Sequence, residues 1–201
     1  MNVLVLNCGS SSLKYRLIEM PSERERTGGE AQRVGPPTAE PPRIYHKIDG
    51  RTEIHETAMP DHAAAFERVV ELLGRQEGLM PDAIGHRVVH GGARFSAPAV
   101  IDENVLQDLD GLRDLAPIHN PPATDLIHAC ERRYPSLPEV AVFDTAFHAT
   151  LPACASTYAL PAHLRDDLGL RKYGFHGISH QYVVEEAARF LERPRESLTA
   201  V

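Results

Sequence analysis

Val3 to Leu6 is a short unbroken apolar run, which reads as a buried strand. It stops at Asn7-Cys8-Gly9-Ser10-Ser11-Ser12, which is turn chemistry. From Leu13 to Glu19 the pattern alternates, with Leu13, Tyr15 and Leu17 on one face and Lys14 and Arg16 on the other. A second strand therefore returns beside the first as a hairpin. Residues 21–42 lose the pattern, because Pro21, Gly28, Gly29, Gly35, Pro36, Pro37, Pro41 and Pro42 stand among charges. So little apolar surface cannot offset the entropy of ordering it, and a long mobile loop is expected there. Ile44 to Ile48 resumes a strand. Ala65, Val69, Leu72 and Leu73 recur at helical spacing and predict a helix within 61–76, ended near Gly74 to Gly78. Residues 83–90 are β-rich and close on Gly91-Gly92, and 103–115 is helical in character. Pro121-Pro122 opens a helix running to about Tyr134, since proline suits a first turn. Val140 to Phe143 is a short buried strand ending at Asp144, and a last helix is expected over 179–191. Leu198 to Val201 reads as the start of a further strand, so the ending looks interrupted. Strands first, then alternating helix and strand, imply an α/β fold with a mixed sheet.

Composition narrows the function classes. The 201 residues hold 21 basic and 28 acidic side chains, a formal charge of −7, which argues against coating nucleic acid or an anionic membrane. There is no tryptophan and only 6% aromatic content, a poor base-stacking platform. No run of apolar residues is long enough for a membrane span, and the N-terminus lacks a basic leader. Cys8, Cys130 and Cys154 are odd in number and far apart, which points to a reducing cytoplasm rather than a disulfide framework.

Five segments carry chemistry. Asn7-x-Gly9-Ser10-Ser11-Ser12-x-Lys14 offers a permissive glycine, hydroxyls and turn N–H groups, followed by a cation; it is either an anion-gripping hairpin or a polar turn. It is not a P-loop, because the GxxxxGK[ST] order is absent. In Gly85 to Gly92, alternation puts His86, Val88 and His90 on one face and Arg87 and Val89 on the other. A guanidinium in an apolar strand needs an anion, either an internal carboxylate or a bound ligand. His119 precedes a helix N-terminus, a place that favours anions, with Asn120 as the alternative N-cap. Asp144 ends a buried strand, the edge where open α/β sheets place ligands; the plain alternative is a turn aspartate. His176 lies between glycines before a helix, four residues from His180, but no HExxH or CxxC supports a metal hydrolase. No GxSxG elbow occurs, which disfavours a serine hydrolase.

In series, NCGSSSLK (7–14), GHRVVHGG (85–92), LAPIHNPP (115–122), VFDTAFH (142–148) and YGFHGISH (173–180) closely resemble the acetate kinase family. The resemblance implies an actin-like, sugar-kinase-like (ribonuclease H-like) α/β fold with two related domains. It implies reversible transfer of the γ-phosphoryl group of ATP to acetate with Mg²⁺ (or Mn²⁺), giving acetyl phosphate and ADP. Propionate and butyrate kinases share parts of the motif set. Carried over, Asn7 would help position magnesium, and Ser10, Ser12 and Lys14 would form the phosphate-side hairpin. Arg87 would bind the acetate carboxylate, and Val89, Ile118 and Phe175 would line the methyl pocket. His119 and His176 would contact the phosphoryl group, His176 stabilising the transition state. Asp144 would be the essential acidic position, better suited to organising metal and geometry than to removing a proton, because acetate is already ionised at neutral pH.

Relatives of this kind are about twice as long. Their other half carries an HxGxG phosphate loop, a second arginine, a late glutamate for Mg²⁺ and most of the homodimer interface. The expected division here is a first domain over 1–149 and the opening of a second over 150–201. A chain of this extent is expected to be inactive alone. The competing expectation from another class is a non-catalytic anion-binding remnant or an interaction subunit.

Overall fold

The computed structural model describes residues 1–198. The chain divides into two compact units, Met1–Val88 with Ala99–Val142, and Val89–Pro98 with the chain from Phe143 onward.

The first unit is built on a sheet. Strands β1 (Asn2–Cys8), β2 (Ser12–Glu19), β3 (Arg24–Gln32), β4 (Arg43–Ile48) and β5 (Arg51–Glu56) form an antiparallel meander. Helix α1 (His62–Leu73) follows, and β6 (Ala83–Val88) then pairs parallel to β1. Next come β7 (Ala99–Val100), α2 (Glu103–Gly111), α3 (Asn120–Arg133) and β8 (Glu139–Phe143). The sheet order is β5-β4-β3-β2-β1-β6-β8-β7, so the α/β class with a mixed sheet holds.

The alternation read from the sequence selects the covered face. Leu4, Leu6 and Cys8 pair with Leu17, Tyr15 and Leu13 across β1 and β2, and all six are buried. Helices α1 and α3 pack over that face. Asp61 caps α1 by accepting from the Ala64 N–H at 2.7 Å, and Ala65, Phe66, Val69, Leu72 and Leu73 turn inward. Asp102 caps α2 in the same way through the Val105 N–H at 2.8 Å.

The expected loop over 21–42 is corrected. Residues 24–32 are β3, with Thr27 and Ala31 buried; 21–23 form the turn that precedes it, and 33–42 lack regular structure. Glycine and proline prefer loops in isolation, but Gly29 marks a close approach within a strand. A Cβ there would lie 2.7 Å from the Tyr15 hydroxyl, so glycine makes room for that buried ring. The first helix ends at Leu73 with Gly74 as its C-cap, as expected. Three bounds shift. The β6 strand ends at Val88. The 103–115 helix breaks at Leu112 into α2 and a 3₁₀ turn over Arg113–Leu115, next to the poor helix former Gly111. The last helix begins earlier, at Gly177. The strand expected over Leu198–Val201 falls outside the described residues apart from Leu198.

The second unit has little regular structure. It holds a 3₁₀ turn (Ala146–Thr150), α4 (Ala153–Ser156), α5 (Ala162–Asp167) and α6 (Gly177–Phe190). Within α6 only Gly177 is buried. No helix among the described residues is long and apolar enough to cross a membrane.

Candidate active site

In the first unit, register places three predicted residues in one row. Asn7 on β1 is the partner of Lys14 on β2 and of Arg87 on β6. Paired positions project to the same face, here the one opposite the buried leucines. Arg87 Nη1 donates to Asn7 Oδ1 at 2.9 Å. Lys14 is exposed and stands 3.9 Å from Glu30, an ion pair too solvated to hold it firmly. A depression of about 490 Å³ on this face is lined by Val5, Asn7, Lys14, Arg16, Tyr45 and Lys47 among others.

The adjoining turn presents Ser10 and Ser12. The Gly9 N–H donates to the Ser12 carbonyl at 2.8 Å, closing it. His62, which the sequence did not single out, supports the turn from α1: its Nε2 donates to the Gly9 carbonyl at 2.8 Å. Its position in the first turn of a predicted helix was the only available signal.

His119 and Ile118 lie on a different element, at the start of α3, and both are exposed. His119 occupies the N-cap without a side-chain bond. Asn120 is therefore not the cap: it is the first helical residue, and its Nδ2 donates to the Leu112 carbonyl at 3.0 Å.

In the second unit, Asp144 and His176 come together. Asp144 is 2% exposed, and its Oδ2 lies 3.9 Å from Nδ1 of the largely exposed His176. That distance is ion-pair range rather than a hydrogen bond. The loop that carries His176 is clamped to the segment after β8. The Gly177 N–H donates to the Asp144 carbonyl at 2.9 Å, and His148 Nε2 donates to the Phe175 carbonyl at 3.1 Å. Glycine is required at the clamp, because a Cβ on Gly177 would sit 2.2 Å from that Asp144 oxygen. His176 itself adopts φ 55°, ψ 24°, a left-handed conformation unusual for a non-glycine residue and common at functional sites. It caps α6 without using its ring, so the imidazole is not consumed by the helix.

The rest of this unit supports that arrangement. Phe175 is 45% exposed and Val89 is half-buried. His90 packs edge-on to Tyr173 (4.6 Å) and Phe175 (5.7 Å), and its Nδ1 accepts from the Gly92 N–H at 2.9 Å. Burial lowers the His90 pKa, consistent with a neutral ring accepting at Nδ1. Thr145 and His148, present in a quoted motif but given no role, do the bracing: Thr145 Oγ1 accepts from the Gly91 N–H at 3.0 Å. Their identity was visible in the sequence, but their partners lie tens of residues away.

Comparison with known proteins places these features in context. The Acetokinase family's sequence profile matches residues 2–201. The chain is 42% identical to an acetate kinase of Desulfitobacterium hafniense (strain DSM 10664 / DCB-2), covering 100% of this chain and 51% of that one. It is 45% identical to an acetate kinase of Alkaliphilus metalliredigens (strain QYMF), again over 100% of this chain, and over 52% of the relative. Among solved structures, a propionate kinase from Francisella tularensis subsp. tularensis SCHU S4 superimposes with a TM-score of 0.88 at 38% identity, covering 96% of this chain and 49% of that one. Porphyromonas gingivalis acetate kinase gives a TM-score of 0.87 at 37% identity, covering 96% and 50%. The chain thus spans about half the length of the curated relatives it matches.

Proposed function

The chain belongs to the acetokinase family, and from that premise we propose that it is the acceptor-side half of an enzyme moving the γ-phosphoryl group of ATP reversibly onto acetate. The match across residues 2–201 carries the reading, and the Lys14–Asn7–Arg87 row supports it. Propionate is the second acceptor, favoured by the likeness to a propionate kinase.

The reaction joins two anions, so its demands are positioning and charge neutralisation rather than covalent help. Acetate is ionised at neutral pH, and its attacking oxygen needs no base. Arg87 is assigned to the carboxylate, because a guanidinium fork matches two carboxylate oxygens. Lys14, with the Ser10 and Ser12 hydroxyls, is assigned to phosphate oxygens. Val89, Ile118 and Phe175 are the apolar side chains assigned to the methyl group. His119 and His176 are assigned as donors to the phosphoryl oxygens, where charge develops in the transition state.

Magnesium takes oxygen ligands, commonly one or two carboxylates with phosphates and water. The Asp144 carboxylate fits that chemistry. Asn7 fits it less well, because its amide oxygen accepts from a guanidinium whose charge would oppose a cation. The reading therefore gives Asp144 to the metal and Asn7 to orienting Arg87. When bound, the ion would supply neutralisation of the phosphate oxygens. A cytoplasmic location and a homodimer completed by the remaining half belong to the same proposal.

Adding ATP, Mg²⁺ and acetate to the pure chain with a hydroxylamine trap is expected to give no acyl phosphate above background. A chimera completed with the C-terminal half of the Desulfitobacterium hafniense relative is expected to give it readily. A folded chimera that forms no acyl phosphate from acetate, propionate or butyrate would reject the kinase reading in favour of an anion-binding remnant.

A further inference from the structure

Three side chains that the kinase reading does not use meet inside the first unit. His86 on β6, Cys130 on α3 and Glu139 at the start of β8 are 2%, 0% and 5% exposed. One imidazole nitrogen, one sulfur and one carboxylate oxygen lie within 4.8 Å of one another. The fold explains the meeting. His86 shares the covered face of β6 with buried Ile84 and Val88, β8 is the neighbouring strand, and α3 packs on β6. The flanking core positions on these elements, Leu126, Ala129 and Ala141, are apolar and buried.

His86 Nε2 and Glu139 Oε2 are 2.7 Å apart. A carboxylate–imidazole pair is a costly core filler, and apolar residues of similar volume hold such layers together as well or better. With a free thiol beside it, the set has the nitrogen, sulfur and oxygen donors that a borderline-soft cation takes.

We propose that His86, Cys130 and Glu139 form a binding site for one divalent transition-metal ion of the zinc type, held as a structural centre of the first unit. Metal–ligand bonds of about 2.0–2.3 Å fit three donors gathered this closely. On binding, Cys130 releases its thiol proton to solvent, the proton of the His86–Glu139 hydrogen bond moves to the ring nitrogen of His86 that does not bind the ion, and that contact gives way to two bonds to the metal. Thiolate and carboxylate together cancel the ion's two positive charges, so the filled site is neutral in the buried interior. One water completes a tetrahedral set. The proposal is independent of the kinase reading, and its failure leaves that reading untouched.

The test uses the full chain, loaded with Co²⁺ both in native form and during refolding, because all three residues are buried. One Co²⁺ per chain is expected, with the visible absorption of a four-coordinate ion and a thiolate-to-cobalt charge-transfer band, both displaced by Zn²⁺. Cys130→Ala is expected to lose the charge-transfer band. Glu139→Gln, which keeps the shape of the side chain, is expected to weaken Zn²⁺ at least ~10-fold. Cys154→Ser, at the exposed cysteine, is expected to change neither. A chain with native circular dichroism that takes up no ion by either route overturns the proposal. So does a charge-transfer band that survives Cys130→Ala or disappears with Cys154→Ser. If Cys130→Ala does not fold, unchanged Zn²⁺ affinity in Glu139→Gln overturns it.

Discussion

Phe66 on α1 and Phe190 on α6 are the same residue type on helices of 12 and 14 residues, yet Phe66 is 0% exposed and Phe190 87%. Helix α1 lays a full apolar stripe on the sheet of its own unit. Helix α6 carries Tyr182, Val183 and Phe190 as well, but buries Gly177 alone. An apolar stripe stabilises a helix only where a second layer covers it. The first unit contains that layer. The second is held around Asp144 by backbone bonds, glycine close approaches and the Phe95–Phe143 stack, and leaves Tyr182, Val183 and Phe190 in solvent. Such exposed surface favours association and marginal stability.

The largest expected effect tests this contrast directly. Phe66→Ala should cost about 3–5 kcal/mol in urea unfolding, and Phe190→Ala no more than about 0.5 kcal/mol. Comparable losses would mean that the second unit has a core of its own.

The proposed chemistry divides the same way. In the completed chimera, Asp144→Asn should lower kcat by ~10²-fold or more. Arg87→Ala should act first on the KM for acetate. Unchanged turnover in Asp144→Asn would remove the aspartate from any essential role, and an unchanged KM in Arg87→Ala would remove the arginine from acetate binding.

Gly177→Ala should have a smaller, local effect of about 1–3 kcal/mol, because the clash is with backbone that cannot swing away. Amide exchange should quicken along α6 and stay unchanged in β1 and α1. Loss of protection throughout would show that the two units unfold together.

The weakest effect is a pH dependence within the first unit. His46 shares a 2.6 Å hydrogen bond with the Tyr15 hydroxyl, and burial lowers its pKa, with His55 and Arg75 adding to the shift and Glu53 opposing it. The unfolded chain therefore takes up this proton first as pH falls. Stability tied to neutral His46 is present above about pH 6.5 and is lost as pH drops through the lower folded-state value. Urea midpoints should decline over that window, and His46→Gln should flatten the decline. A decline of the same size in the variant would assign it to other groups.

Much of the first unit was legible because its signals are local. Alternation at Leu13, Tyr15 and Leu17 named the buried face of β2, and Asp61 marked the start of α1. Local reasoning failed at residues 24–32, where glycines that suit a loop instead admit Tyr15 into a strand pair. At the candidate site, residue types were readable but partners were not. Nothing in the sequence said that Asn7 would hold the Arg87 guanidinium, or that His148 and Gly177 would hold the loop presenting His176.

The order of residues by itself determined the family, the α/β class and which strand faces turn inward, because periodicity and motifs are properties of neighbouring positions. Only the tertiary structure decided that Lys14, Asn7 and Arg87 stand in one row, that Asp144 meets His176, and that His86, Cys130 and Glu139 meet in the buried core. Those outcomes depend on strand register and on helices laid across a sheet. They arise from burial and hydrogen bonding between segments far apart along the chain, which no local pattern encodes.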